Sequence, residues 1–257
     1  NGASWASFPL NITCSWSLLP EINTIEEYNG FLYIGGVFDQ INSTFSSLVF
    51  RTNGSSIDQM SLGSNYGVTD FIIYHDSVFC TGSFPFGPFP ANQGSPGIVK
   101  TANTMWNQVD HGLKLRGNSM SKYLTDLYVG GSNINWCFNS PCNHVDVGNL
   151  GKWNGSVWSN ESAGLFNQGN ESVSLLYTDV QNSTLYVIGD FHTSRGDIGD
   201  FIVKKQISVV PVNLSSFTAQ VVSGNSVKLS WRDETPEDGV KFDVQMSTDG
   251  QSFKSVG

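Results

Sequence analysis

One glycine-containing segment recurs four times along this chain, and the recurrence restricts the fold more than any other feature. The copies are FLYIGGVF (31–38), SVFCTGSF (77–84), DLYVGGSN (126–133) and TLYVIGDF (184–191). Each copy is a short β-branched and aromatic run interrupted by glycine, which is typical of a strand. Such self-similarity indicates a repeat architecture in which each copy belongs to one supersecondary unit.

Further strand-like runs surround each glycine segment. The preceding runs are NTIEEY (23–28), VTDFIIYH (68–75), SMSKYLT (119–125) and SVSLLYTD (172–179). A loop and a third run follow, namely SSLVFR (46–51), GIVKT (97–101), NLGKW (149–153) and DFIVKK (200–205). Three copies add a fourth element, at NGSSIDQMSL (53–62), NTMWNQV (103–109) and NGSVWSNES (154–162). The pattern predicts an all-β chain of about four β-propeller blades, with a β-sandwich as the alternative.

The fourth copy lacks its own fourth element, and the first residues of the chain supply the missing pattern. NGASW (1–5) matches NGSVW (154–158), with Trp5 at the place of Trp158. Residues 1–10 therefore either complete the last blade, which gives a closed ring of four, or belong to a preceding blade of a larger ring. We also expect the repeated glycines to lie where a side chain would block neighbouring backbones.

The repeats resemble a known group of secreted propeller proteins. LYVGG (127–131) followed by KWNGSVW (152–158) is similar to repeats of bacterial and fungal surface proteins, which are related in shape to kelch and galactose-oxidase propellers. The resemblance covers residues 1–206. It implies blade architecture and carries almost no information on activity.

A second resemblance covers residues 207–257. SVKLSW (226–231), KFDVQMS (241–247) and TDGQSF (248–253) resemble part of a fibronectin type III-like β-sandwich, of the kind found in Bacteroidetes proteins exported by type IX secretion. RDETPEDG (232–239) departs from the usual pattern of those modules. Such a sandwich needs about 100 residues, so this one is incomplete, and we expect the native protein to continue beyond Gly257.

The charge and hydropathy of the chain exclude two classes of partner. Charged residues make up 14% of the sequence and the formal net charge is −9, which argues against nucleic acid. No apolar run approaches the roughly 20 residues of a membrane-spanning helix, so we expect no membrane insertion.

Cysteines and glycosylation sequons point to a secreted or cell-surface location. CFNSPC (137–142) predicts a small disulfide loop between Cys137 and Cys142, with buried free thiols as the alternative. A disulfide would place the chain outside the reducing cytosol. Asn-x-Ser/Thr sequons, which are glycosylated only if the source is a eukaryote, begin at Asn11, Asn42, Asn53, Asn154, Asn160, Asn170, Asn182 and Asn213.

The sequence contains no recognisable catalytic pattern. His75, His111, His144 and His192 form no metal-binding motif, and we predict no catalytic residue and no cofactor. Calcium is the one candidate ion. Asp190, Asp197 and Asp200 are possible loop ligands for it, and the alternative is that they are solvated turn residues.

Two long loops provide the candidate binding residues. FPFGPFPANQGSP (84–96) and NINWCFNSPCNHVDV (133–147) occupy the same connection in adjacent repeats, so both should project from one face. The candidate ligand-binding residues on them are Phe84, Phe86, Phe89, Trp136, Phe138, His144 and Asp146. Aromatic loops on a rigid scaffold are typical recognition surfaces. The alternative is that these aromatics cover the channel mouth or fold onto one another.

These observations favour a non-enzymatic secreted or cell-surface protein for recognition or adhesion, which binds an extracellular glycan or protein. The alternative is a glycan-active or oxidative enzyme that uses the propeller as a scaffold and places its catalytic groups at the channel mouth.

Overall fold

A computed structural model divides the chain into two compact regions, Asn1–Ile207 and Ser208–Gly257. It describes residues 4, 7–8, 10–17, 19–62, 67–84, 97–133, 145–163, 165–166, 171–193, 201–206, 214–223, 226–233, 244–247 and 254–255. Every regular element in these ranges is a β-strand, so the predicted all-β class is confirmed. The described ranges hold no helix with the length and hydropathy to span a membrane.

The described residues of the first region form twenty short strands. They are β1 (Ile12–Thr13), β2 (Glu21–Tyr28), β3 (Phe31–Val37), β4 (Gln40–Ile41), β5 (Thr44–Phe45), β6 (Val49–Thr52), β7 (Ile57–Gln59), β8 (Gly67–Tyr74), β9 (Ser77–Ser83), β10 (Ile98–Thr101), β11 (Asn107–Gln108), β12 (Leu115–Tyr123), β13 (Asp126–Asn133), β14 (Leu150–Trp153), β15 (Trp158–Asn160), β16 (Leu165–Phe166), β17 (Ser172–Asp179), β18 (Thr184–Asp190), β19 (His192–Thr193) and β20 (Ile202–Gln206). Each strand-like run of the four sequence repeats overlaps one of them.

The strands of each sequence repeat pair in chain order. Repeat 1 is the antiparallel sheet β2-β3-β6-β7, and repeat 2 is the sheet β8-β9-β10-β11. Repeat 3 (β12 to β15) and repeat 4 (β17, β18 and β20) share a curled, half-barrel sheet of seven strands. One residue pair, Ser132 with Ser172, joins these two repeats edge to edge. Two small sheets, β1-β4-β5 and β16-β19, use strands from the insertions of repeats 1 and 4 and are separate from the main sheets.

The described residues of the second region form two strand pairs. Its strands are β21 (Leu214–Ser223), β22 (Ser226–Asp233), β23 (Gln245–Met246) and β24 (Lys254–Ser255). β21 pairs with β22, and β23 pairs with β24, both antiparallel. The predicted strand SVKLSW is confirmed as the first six residues of β22, and the fibronectin-like sandwich stays a prediction.

A β-bulge interrupts the first strand of every repeat, opposite the repeated glycine. The bulged residues are Asn23, Thr69, Asn118 and Ser174, one in each repeat. A Cβ on the facing glycine would overlap the first strand's carbonyl oxygen, as at Gly131 against Arg116. The glycine is therefore required by close approach within its own sheet. The predicted crowding is confirmed, although the crowding backbone belongs to the same repeat.

The bulged residues also connect one repeat to the next. Each of the first three donates a side-chain hydrogen bond to a carbonyl on the first strand of the following repeat. The bonds are Asn23 to Val68 at 2.8 Å, Thr69 to Gly117 at 2.7 Å and Asn118 to Val173 at 2.8 Å. The side chain of the bulged residue points out of its sheet and donates a hydrogen bond to a backbone carbonyl of the neighbouring sheet.

Two further hydrogen bonds cross each of the same three junctions. Thr24, Asp70 and Ser119 accept a bond from the N–H of Phe71, Met120 and Leu176, respectively. Tyr28, Tyr74 and Tyr123 donate their hydroxyls to the hairpin carbonyls of Asp76, Thr125 and Ser183.

We call the three bonds per junction the polar ladder. We call the face of a repeat that bears the ladder side chains its trailing face, and the face that receives them its leading face.

Apolar cores fill the junctions between the repeats. One core joins Tyr33 and Leu62 of repeat 1 to Phe71 and Val99 of repeat 2. Equivalent cores join repeat 2 to repeat 3, and repeat 3 to repeat 4. The buried apolar area between sheets stabilises the array, since the hydrophobic term is about 25 cal/mol per Å².

The two ends of the array differ from its interior. On the leading face of repeat 1, Ile22 and Ile25 are exposed, whereas their equivalents in repeat 2, Val68 and Phe71, are buried. On the trailing face of repeat 4, Leu175 stands at the place of the ladder acceptor and is half exposed, and Asp179 stands at the place of the tyrosine. Repeat 4 therefore has only its bulged serine to contribute to a ladder.

The bulge predicts how two glycine substitutions differ. Gly131→Ala should destabilise the protein by about 3 kcal/mol or more, because its methyl would overlap a backbone carbonyl. Gly54→Ala, in an open turn with a φ of +87°, should cost about 1 kcal/mol. Urea unfolding followed by tryptophan fluorescence measures both. Equal losses for the two variants would contradict the role given to the bulge.

Candidate functional site

Antiparallel repeats of this kind place their connections at two opposite ends of the sheets. The hairpins between first and second strands and between third and fourth strands lie at one end, which we call the turn end. The connections between second and third strands lie at the other, which we call the insertion end. This end carries both long loops that the sequence identifies as candidate binding elements, and their common location follows from the strand order.

One backbone hydrogen bond closes the base of three insertions. The N–H that precedes the third strand donates to the carbonyl of a phenylalanine that follows the second strand. The pairs are Leu48 with Phe38 at 3.0 Å, Gly97 with Phe84 at 3.2 Å and Phe201 with Phe191 at 3.1 Å. The scaffold therefore holds the two stems of each insertion together in the same way, whatever the length of the loop.

Phe84 is placed differently from the prediction, which had it exposed on the binding loop. Its side chain is 0% exposed and packs in the core between repeats 1 and 2. Phe38 and Phe191, at the same place in their repeats, are also fully buried. The signal was present in the sequence, because the glycine segment ends on phenylalanine in three of its four copies. Phe84 is thus an anchor of the insertion and contributes no surface to it.

Asp146 is exposed and lies at the base of the insertion of repeat 3. Its carboxylate accepts hydrogen bonds from the side-chain amide of Asn133 at 3.3 Å and from the N–H of Gly148 at 3.1 Å. The ammonium of Lys114 lies 3.8 Å away. Asn133 occupies the place that phenylalanine holds in the other repeats, so polar bonds replace an apolar anchor here.

Most of the other predicted positions lie outside the described residues. These are Phe86, Phe89, Trp136, Phe138 and His144 among the binding residues, and Cys137 and Cys142 of the predicted disulfide. Asp197 and Asp200 also lie outside, whereas Asp190 is described and exposed. Cys14 and Cys80 are described, and both are free thiols. Burial, with a smaller contribution from Asp70, raises the pKa of the Cys80 thiol.

Two exposed aromatic residues at the insertion end were missed by the sequence reasoning. Phe45 lies on β5, within the insertion of repeat 1, and is 60% exposed. Phe201 closes the insertion of repeat 4 and is 54% exposed. Neither belongs to a long aromatic loop, so only the folded arrangement places them at the same end as those loops.

The insertion of repeat 1 is tied to the N-terminal segment. β1 pairs with β4 of this insertion, and the backbones of Asn11 and Asn42 bond to each other. The nearly buried carboxylate of Asp39 accepts bonds from the N–H and the hydroxyl of Ser15. Residues 10–15 are therefore part of the insertion end.

Asparagine side chains organise the turn end. The side-chain oxygens of Asn53, Asn103 and Asn154 each accept bonds from backbone N–H groups within the next three residues, at 2.6–3.1 Å. Asparagine suits such turns because its side chain mimics a backbone acceptor. Turn geometry alone thus accounts for asparagine at the sequons of Asn53 and Asn154.

The described sequon asparagines are all exposed. They are Asn11, Asn42, Asn53, Asn154, Asn160 and Asn182. Asn170 and Asn213 lie outside the described residues. Exposure is compatible with glycosylation and does not test it.

An unusual carboxylate lies between repeats 2 and 3. Asp70 is the ladder acceptor of its junction, where the equivalent side chains are the hydroxyls of Thr24 and Ser119. Burial raises its pKa to about 6, although the N–H of Met120 donates to it at 2.6 Å. The charge of Glu26 adds to this rise. A charged group thus occupies a place that a neutral hydroxyl fills elsewhere.

A cavity of about 300 Å³ lies between repeats 3 and 4. The carboxylate of Glu161 lies beside it and binds the ammonium groups of Lys152 at 3.0 Å and Lys205 at 2.6 Å. Burial opposes ionisation of Glu161, but the two lysines outweigh it and lower its pKa. Among the described residues, no group of three or more His, Cys, Asp or Glu is arranged to hold a metal ion.

Comparison with known proteins gives no assignment for this chain. No protein-family model matches it. No curated protein sequence matches it either.

Asp70 makes the stability of this region depend on pH. Because its folded pKa of about 6 exceeds the ordinary 3.8, the folded state holds the proton more tightly, and stability falls as pH rises from about 4 to about 6. Asp70→Ser keeps a ladder acceptor and removes the charge. It should be more stable than the wild type by about 2 kcal/mol at pH 7 and equal to it near pH 4. Urea midpoints at both values measure this difference, and a pH-independent difference would rule out the buried charge as its cause.

Proposed function

We propose that the first region is a β-propeller and serves as a non-enzymatic recognition or adhesion module, secreted or held at the cell surface. Four repeats stacked by one recurring junction support the propeller. A further support is that the first strands of successive repeats bond to one another, β2 to β8 and β8 to β12, as innermost strands around a common axis would.

The observation that carries the recognition role is the shared base of the insertions. The polar ladder and three apolar cores lock the repeats together. On that scaffold, loops of different length and sequence leave from equivalent positions at one end. Rigid scaffolds with variable loops at one end are a common way to build a binding surface.

The composition of the insertion end favours a glycan or a protein as ligand. Phe45 and Phe201 are exposed there, and the loops at 85–96 and 134–144 add four aromatic residues to the sequence of this end. Aromatic rings stack on sugar faces and bury well against protein partners, with the fixed geometry of a rigid side chain. The turn end instead presents asparagine and glycine turns, together with exposed apolar side chains that are not aromatic, such as Leu124 and Met105.

The secreted or cell-surface location is part of the same proposal. Exposed sequon asparagines on both ends of the repeats support it. So does the Cys137–Cys142 spacing in the sequence.

The proposed binding end is tested with a glycan array and an extracellular protein array, using the intact chain. Phe45→Ala, Phe201→Ala and replacement of residues 85–96 by a short Gly-Ser turn should each weaken binding about ten-fold. Leu124→Ala and Met105→Ala, which remove exposed apolar side chains at the turn end, are the matched controls and should bind normally.

Two results would contradict this proposal. Loss of binding in the turn-end variants alone would place the ligand at the other end. Turnover of any glycan on the array would show an enzyme rather than a recognition module.

A further inference from the structure

One buried indole in the array has no hydrogen-bond partner. Among the described residues, Trp158 Nε1 is the one buried side-chain nitrogen or oxygen without such a bond. The Trp158 side chain packs in the core between repeats 2 and 3, and the residue is 9% exposed. A buried donor of this kind destabilises the folded state, because it has lost its bond to water and gained no other. Its lack of a partner therefore needs a structural cause.

The preceding junction shows which acceptor the indole would have. Trp106 holds the same place in repeat 2, and its indole N–H donates to the carbonyl of Met60 at 2.7 Å. Met60 directly follows β7, the fourth strand of repeat 1, and Val109 directly follows β11, the fourth strand of repeat 2. The carbonyl of Val109 is therefore the acceptor that the repeat pattern assigns to Trp158.

A tight turn uses that carbonyl instead. The N–H of Gly112 donates to the carbonyl of Val109 at 3.1 Å. Asp110, the second residue of this turn, has a φ of +54°, which lies in the left-handed region that favours glycine. The peptide between Val109 and Asp110 thus links two unfavourable features, a positive φ and a buried donor without a bond.

The same turn holds the base of the insertion of repeat 3. The carbonyl of Gly112 accepts the N–H of Val145 at 3.0 Å, and the carbonyl of Val145 accepts the N–H of Lys114 at 2.9 Å. In repeat 1 the equivalent connection bonds to its own repeat, through the N–H of Leu62 and the carbonyl of Ser47 at 3.1 Å. The connection 109–114 therefore joins the core of one junction to the stem of the next insertion.

We propose that the connection 109–114 is a two-state element that couples the core between repeats 2 and 3 to the insertion of repeat 3. In the first state, which the structure shows, Val109 closes the turn. In the second state the peptide between Val109 and Asp110 rotates, the Val109 carbonyl accepts the Trp158 indole N–H, and Asp110 takes a negative φ. Gly112 then loses its turn bond, and Val145 moves with it.

The two states are close in free energy because each has a bond that the other lacks. The first keeps the turn bond of Gly112, and the second satisfies the buried indole and relieves the positive φ of Asp110. A second state of this kind is populated at roughly 0.1–10%. Any contact that holds Val145 in one position shifts this equilibrium, so the element is a device for regulating the insertion. It does not depend on what the insertion end binds.

The first test is ¹⁵N relaxation dispersion on the intact chain, which detects exchange on the microsecond-to-millisecond timescale. The indole of Trp158 and the amides of Gly112 and Val145 should exchange with one common rate. The indole of Trp106, which already has its bond, should show no exchange and serves as the internal control.

Two substitutions of Asp110 should move the equilibrium in opposite directions. Asp110→Gly favours the first state, because glycine adopts a positive φ without strain, and should lower the population of the second state about five-fold. The exposed pair of Asp110 with His111, which this variant removes, contributes little. Asp110→Pro fixes φ at about −65° and excludes the first state. The Trp158 indole proton should then shift downfield as it gains a hydrogen bond.

Ser61→Gly is the matched control, since Ser61 follows Met60 as Asp110 follows Val109, and it should leave both indoles unchanged. If Asp110→Pro does not fold by circular dichroism, the population change in Asp110→Gly decides alone. Absence of exchange at Trp158 in the wild type would overturn the proposal. So would exchange at Trp158 that Gly112 and Val145 do not share, or a nuclear Overhauser contact from the Trp158 indole proton to a buried water in a single state.

Discussion

A single bulged residue in the first strand of each repeat is the feature on which the rest of this fold depends. The bulge brings the first strand so close to the second that only glycine fits opposite it, as at Gly36 and Gly82. It also turns a polar side chain out of the sheet, and in Asn23, Thr69 and Asn118 that side chain bonds to the next repeat. Packing within a sheet and attachment between sheets therefore share one cause. The apolar cores supply most of the stabilising area, and the ladder sets the register in which the sheets meet.

Much of this architecture was predictable because strand runs and glycines repeat with the same residue types. The strands of all four repeats follow from alternating apolar runs such as FLYIGGVF and TLYVIGDF. Two of the three ladder positions were not predictable, since they keep a hydrogen-bonding role and change the residue that performs it, whereas the third is tyrosine at all three junctions. Asn, Thr and Asn serve at the bulge, and Thr, Asp and Ser serve as the acceptor. Such a pattern becomes visible only when the partner strand, roughly one repeat away, is known.

The exposure of aromatic residues at the candidate site was likewise only partly predictable from the sequence. Aromatic content identifies loops that lie at one end of the repeats, but it does not separate anchors from surface residues. Phe84 stands in an aromatic loop sequence and is buried, because the end of the glycine segment packs beneath the insertion wherever it is phenylalanine. Phe45 and Phe201 stand in unremarkable sequence and are exposed at the insertion end. Burial of an aromatic residue is decided here by its position relative to the second strand, and not by its neighbours in the chain.

The ladder also has a direction, and this has a consequence for how the protein is made. Every ladder side chain belongs to the earlier repeat, and its partner lies 45 to 60 residues further along. A growing chain can therefore complete each junction as soon as the next hairpin has been synthesised, and the entropic cost of closing a loop grows only slowly with its length. Repeats 1 to 4 can be added in the order of translation, with each folded repeat serving as the template for its successor.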